Sequence, residues 1–277
     1  FASRAASLAN RYDGPMTLVS RLVLMTLAIL PLVTRGAGAA AVGSPVELQV
    51  YAAASLRDVL QELRPAVERA TGVRLVFNLA GSNDLAHQIV AANKADVFFS
   101  ADEAWMDRVA EAGLIDAGSR RSPLSNRLVV VVAADSDLDI DSAEQLAGPA
   151  IRRLALANPD AVPAGRYAKA WLEGRGQWSA LVPRVVPTLD VRAALAAVES
   201  GAVDAGVVYR TDAMTSRRVR VAYPVPEGEG PRLSYAIAAL ASRPHLEASR
   251  SVVSWLCGPR AAPIFERFGF LVGAPAP

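Results

Sequence analysis

The chain has 277 residues, 52% of them apolar, enough for one large domain or two medium ones with real cores. Its formal net charge is +2, and no basic stripe with interleaved aromatics is present, which opposes a nucleic-acid surface. A single cysteine, Cys257, excludes an internal disulfide, and the lack of any His, Cys or carboxylate cluster opposes a metal-ion site.

In chain order, residues 1–41 come first and read as a leader. Arg21 precedes the apolar run "LVLMTLAILPLV", and small residues follow in "GAGAAAVGS". This charged, apolar and small order is that of a secretory signal peptide, with cleavage expected between Ala37 and Ala41. Residues before Met16 read as upstream translated sequence. The run is shorter than the roughly 20 residues of a membrane span, and no cysteine beside the expected cleavage site offers a lipid anchor. Residues 1–41 hold four arginines and one acid, so the remainder carries 25 basic and 26 acidic residues. The excess of positive charge therefore belongs to the leader.

From there strand and helix patterns alternate. "VELQVYA" predicts a strand, then a helix from Ser55 to about Ala70. "VRLVFNLA" predicts the next strand, then a helix from about Asn83 to Ala92. "ADVFFSA" reads as a buried strand and "DEAWMDRVAEAG" as a helix stopped by Gly113. The long β-branched run "NRLVVVVAA" reads as a core strand or one crossing between lobes. "SAEQLAG" (helix), "RLALAN" (strand), "GRYAKAWLEG" (helix), "RVVPTL" (strand), "DVRAALAAVESG" (helix) and "AGVVY" (strand) continue the alternation. "RVRVAYPVP" and "LSYAIAAL" read as strands, and the tail as helix interrupted near Gly258–Pro259. Such alternation predicts parallel sheets covered by helices, about ten strands and seven or eight helices in two α/β lobes. If "NRLVVVVAA" and "LSYAIAAL" both cross, a paired connection leaves a ligand cleft at the strand carboxyl ends.

Four junctions place small or capping residues at a helix start: Ser55 after "YAAA", "AGS" ending at Ser82, "VPAG" around Ala164, and "LDVR" around Val191. Ordinary helix capping accounts for any one of them. Together they predict an anion site, because helix N-termini expose unpaired N–H groups and partial positive charge. Tyr209, at the end of "AGVVY", adds a phenol at a sheet's carboxyl edge; a tyrosine closing the core with its hydroxyl in water is the plainer alternative.

"YAAASL", "LAGSNDLAHQI", "ADVFFSADEAWMD", "NPDAVPAGRYAKAWLE", "DVRAALAAVESGAVDAGVVYRTDA" and "IFERFGF" occur in this order with ordinary spacing. Together they resemble the periplasmic molybdate-binding proteins of molybdate ABC transporters, over essentially all of residues 46–272. The resemblance implies a class II periplasmic binding protein fold: two α/β lobes joined by a two-strand hinge with a ligand cleft between them. Lobe one is expected over residues 42–126 plus 234–277, and lobe two over 127–233. It implies a non-enzymatic, periplasmic, monomeric carrier that holds molybdate or tungstate as a tetrahedral dianion, has no cofactor, and serves a membrane permease. The ligand set implied is Ser55 and Ser82, the backbone N–H groups of Ala164 and Val191, and the Tyr209 hydroxyl; molybdenum is held only as the oxyanion. Asn83 and Asp84 depart from the smaller residues common after the second serine, and Asp84 is expected to turn away from the cleft.

A sulfate or thiosulfate carrier is the nearest rival. A hydrolase using Ser55 or Ser82 would need His87 as base, but His87 lies five residues beyond Ser82 on the same predicted helix. The ligand-sensing domain of a transcription regulator is opposed by the leader and by the lack of DNA-binding helices. No stretch fits a phosphate-binding P-loop.

Overall fold

A computed structural model describes residues 45–273. The expected leader, its cleavage site and residues 274–277 lie outside the described residues. Strand β1, Glu47–Ala53, points Leu48, Val50 and Ala52 into the core by strand alternation. A 3-10 turn, Ala54–Leu56, runs straight into α1, Arg57–Thr71, which buries Val59, Leu60, Leu63 and Val67 along one helical face. Gly72, in the left-handed conformation (φ 71°), ends it. There follow β2 (Arg74–Ala80), α2 (Ser82–Ala92), β3 (Val97–Ser100), α3 (Glu103–Glu111) and β4 (Arg121–Ser125).

The second half contains β5 (Leu128–Ala133), β6 (Leu154–Ala157), α4 (Pro163–Gly174), α5 (Trp178–Leu181), β7 (Val185–Thr188), α6 (Val191–Glu199), β8 (Ala205–Tyr209), α7 (Arg210–Ala213) and β9 (Val219–Pro224). The chain then returns through β10 (Tyr235–Ala239), α8 (Leu246–Leu256), α9 (Ala262–Arg267) and β11 (Leu271–Val272).

The strands form two mixed sheets, of order β11-β4-β10-β3-β1-β2 and β7-β6-β8-β5-β9. In the first, β1 is parallel to β2 and β3, while β10 runs antiparallel to β3 and β4. In the second, β6 is parallel to β7 and β8, and β5 is antiparallel to β8 and β9. Strands β3, β6, β8 and β10 are buried along their whole length, as continuous apolar runs covered on both faces should be. The two α/β lobes are linked twice, at residues 126–127 and 225–234. Each link takes in only the first two residues of an expected crossing stretch, so β5 and β10 each lie wholly within one sheet.

Three details differ from the sequence reading. "SAEQLAG" is only a 3-10 segment, Ala143–Ala147. Strand β4, "RSPLS", was not expected, because its proline and polar residues mask a pairing that β10 and β11 supply. Cys257, which reads from the sequence as a small buried hydrophobe, is half-buried, and burial pushes its thiol up to about 11, which leaves it unreactive.

Candidate functional site

The carboxyl ends of β1, β2, β6 and β8 converge on a narrow cavity of about 10 Å³. Its lining brings together all five residues singled out from the sequence: Ser55, Ser82, Ala164, Val191 and Tyr209. They come from both lobes, and each is buried, between 1% and 4% exposed. Helix α6 packs against the 54–56 turn, so helix tips of the two lobes face each other.

The tips carry free donors. Neither the 54–56 turn, nor α2, nor α4 has a side chain capping its N-terminus. Pro163 opens α4 and has no N–H to satisfy. Only α6 is capped, by Asp190, whose carboxylate accepts from Ala193 N at 2.9 Å and leaves the Val191 N–H uncovered. The ordinary capping explanation therefore holds for Asp190 and fails for both serines. Ser82 Oγ accepts a hydrogen bond from Ala101 N at 3.0 Å, and Ser55 Oγ lies 3.1 Å from Tyr235 Oη.

Close approach is built into two tips. A side chain at Gly165 would place its Cβ 1.9 Å from the Ala157 carbonyl oxygen, so only glycine lets α4 sit against the end of β6. A Cβ at Gly81 would meet Asn83 Oδ1 at 2.5 Å.

Tyr209 Oη is buried and has no hydrogen-bond partner. Burial pushes its phenol well above the ordinary tyrosine value, so the group stays a protonated donor. An unpartnered buried hydroxyl is costly, by about 1–3 kcal/mol, and its position on the cavity wall points to a ligand. No basic side chain lines the cavity, and its one acid, Asp190, is engaged as a cap. Asn83 and Asp84 are absent from the lining; Asp84 is exposed and accepts from Asn83 Nδ2 at 2.8 Å.

Sequence reasoning missed Tyr235 and Asn126, which stand behind Ser55. Tyr235 reads as one more apolar residue of a core strand, and Asn126 as a turn residue, so no local pattern marks them. A larger opening, of about 730 Å³, lies beside the links between the sheets. Its charged groups are mostly paired with one another, as in Arg166–Asp102 and Arg127–Glu227, and offer a ligand less than the orphan donors of the small cavity. Among the described residues there is no cluster able to hold a metal ion and no helix long and apolar enough to cross a membrane.

The sequence pattern of the bacterial extracellular solute-binding proteins matches residues 48–271. The molybdate-binding protein ModA of Escherichia coli is 38% identical over 234 residues, covering 82% of this chain and 89% of that protein. The solved periplasmic molybdate-binding protein of Azotobacter vinelandii superposes with a TM-score of 0.74 at 26% identity, covering 83% of this chain and all of that one. The sulfate-binding protein SubI of Mycobacterium tuberculosis superposes with a TM-score of 0.73 at 17% identity, over 83% of this chain and 88% of that one. At that identity it shows the fold alone.

Proposed function

This chain belongs to the bacterial extracellular solute-binding proteins, and we propose that it captures molybdate, and tungstate with it, for an ABC permease. The buried, unpartnered Tyr209 hydroxyl carries the reading. In a cavity walled by helix tips it needs an acceptor, and a tetrahedral oxyanion supplies one for every donor at once. The proposed ligands are Ser55 and Ser82 through their hydroxyls, Ala164 and Val191 through backbone N–H groups, and Tyr209 through its phenol. No resident cofactor is needed, because the molybdenum travels inside the oxyanion.

Lobe one is proposed to comprise residues 42–126 plus 234–277, and lobe two residues 127–233. The two links between the sheets act as the hinge, and closure brings both halves of the donor set onto the anion. The relatives named molybdate-binding protein support the choice of molybdate over sulfate, which offers the same charge and shape at smaller size. The leader over residues 1–41 is proposed to deliver the protein to the periplasm, where it works as a monomer and docks on the membrane permease.

A hydrolytic role lacks a base. His87 is exposed, its ring set edge-on 5.2 Å from Trp105, and it is absent from the cavity lining. Titration calorimetry with molybdate, tungstate, sulfate and phosphate tests the proposal. Tight binding of the first two is expected; tight sulfate binding without molybdate heat would make the protein a sulfate carrier instead.

A further inference from the structure

We propose that Asn126 and Tyr235 fix the direction of the Ser55 hydroxyl proton, so that the anion site rejects oxyanions that carry a proton. The inference rests on the oxyanion reading above and adds two positioning residues that line no part of the small cavity.

The proposed direction follows from the donors around Tyr235. Arg127 N donates to Asn126 Oδ1 at 2.9 Å, which sets the orientation of the amide. Asn126 Nδ2 then donates to Thr211 Oγ1 at 2.9 Å and to Tyr235 Oη at 3.2 Å, using both of its protons. Tyr235 is completely buried, and in the proposed relay Asn126 donates to its oxygen while its own proton goes to Ser55 Oγ, at 3.1 Å, a contact in which either oxygen can donate. Ser55 accepts, and its proton finds no protein acceptor among the described residues; the cavity is where it points. Ser82 reaches the same state by a shorter route, with Ala101 N donating to its oxygen. Both serines thus present protons, not lone pairs, to the ligand.

If the Tyr235 hydroxyl were absent or reversed, Ser55 could turn its lone pairs inward and accept a proton from the ligand. The position of Tyr235 also joins the lobes. Its ring packs 5.8 Å from that of Tyr209, while its hydroxyl holds Ser55. It is the first residue of β10, directly after one link, and Asn126 lies in the other. One buried side chain therefore touches a proposed ligand donor from each lobe, and the polarity of the site is set from the hinge.

The test compares wild type, Tyr235→Phe and Asn126→Asp by calorimetry at about pH 8, where inorganic phosphate is mostly a singly protonated dianion. Phosphate is measured by competition against molybdate. Tyr235→Phe keeps the ring and removes only the hydroxyl. Its molybdate Kd is expected to rise about tenfold while phosphate competes at least as well as before, so the molybdate-to-phosphate ratio falls by tenfold or more. In Asn126→Asp the carboxylate accepts the Tyr235 proton, the chain of donors reverses, and the ratio falls again, whatever the added charge does to both ligands alike. Equal weakening of both ligands, or an unchanged ratio, in a folded Tyr235→Phe protein that still binds molybdate overturns the relay alone. A wild-type protein that binds neither molybdate nor tungstate overturns the molybdate reading and the relay with it.

Discussion

Tyr209 and Ser82 line the same cavity from opposite lobes, and removing their hydroxyls should have opposite effects on the ligand-free protein. Tyr209 Oη has no protein partner, so Tyr209→Phe removes a buried orphan. Stability without ligand should hold or rise by up to about 1 kcal/mol. Molybdate affinity should fall by about 1.5–3 kcal/mol, the worth of one charge-assisted hydrogen bond. Ser82 Oγ accepts from Ala101 N, so Ser82→Ala strands a buried backbone N–H as well as losing a ligand donor. Both melting temperature and affinity should drop, the former by the equivalent of about 1–3 kcal/mol. Thermal melts and titrations on the two variants separate a group held for the ligand from one that also holds the fold.

At the scale of elements, the contact between α4 and β6 decides where the Ala164 N–H points. In Gly165→Ala the added Cβ would meet the carbonyl oxygens of Ala157 and Asn158 at 1.9 and 2.6 Å, and backbone cannot yield as a flexible side chain would. The helix tip must lift. We expect a loss of at least about 1–3 kcal/mol in chemical denaturation, with weaker molybdate binding in the fraction that folds. This element was legible in "VPAGRYAKAW" because a helix tip is a local pattern: a proline, two small residues and an apolar period within one turn or two. The other tips and most strands could be read for the same reason. What could not be read depends on residues far apart in sequence. Ser55 and Tyr235 are separated by 180 positions, Asn126 and Tyr235 by 109, and neither local stretch signals its partner. Strand β4 was illegible for a related reason: its pairing with β10 and β11 comes from the far end of the chain.

At the scale of the whole molecule, the polar ties between the lobes include Asn126 Nδ2 to Thr211 Oγ1 at 2.9 Å, Arg166 Nη1 to Asp102 at 2.9 Å, Trp105 Nε1 to the Ala161 carbonyl at 2.8 Å, and the ion pair of Arg192 with Asp58. Asp58 is 41% exposed at its side chain, so this last pair is worth little, about 0.2–1 kcal/mol, and less in salt. Asp58→Asn should weaken molybdate binding no more than fivefold, with the difference shrinking at high ionic strength. Arg192 also serves its own lobe, with Nε 2.6 Å from Asp212 Oδ1. Asp212 is fully buried, and neither of its carboxylate oxygens has a hydrogen-bond partner, the Arg192 contact being an ion pair without hydrogen-bond geometry. Burial outweighs the guanidinium and raises the carboxyl from 3.8 to about 7. The folded protein therefore holds a proton there that the unfolded chain releases above about pH 4, and stability should decline as pH rises from about 4 to 7, then level off. Asp212→Asn keeps the shape and cannot ionise. Its melting temperature, measured across that window, should lack the decline attributable to this group and exceed the wild-type value most clearly above pH 7, where the wild-type carboxylate is charged. An identical slope in both proteins would mean that Arg192 already holds Asp212 ionised throughout, and that the pair acts as a fixed salt bridge at the base of α6.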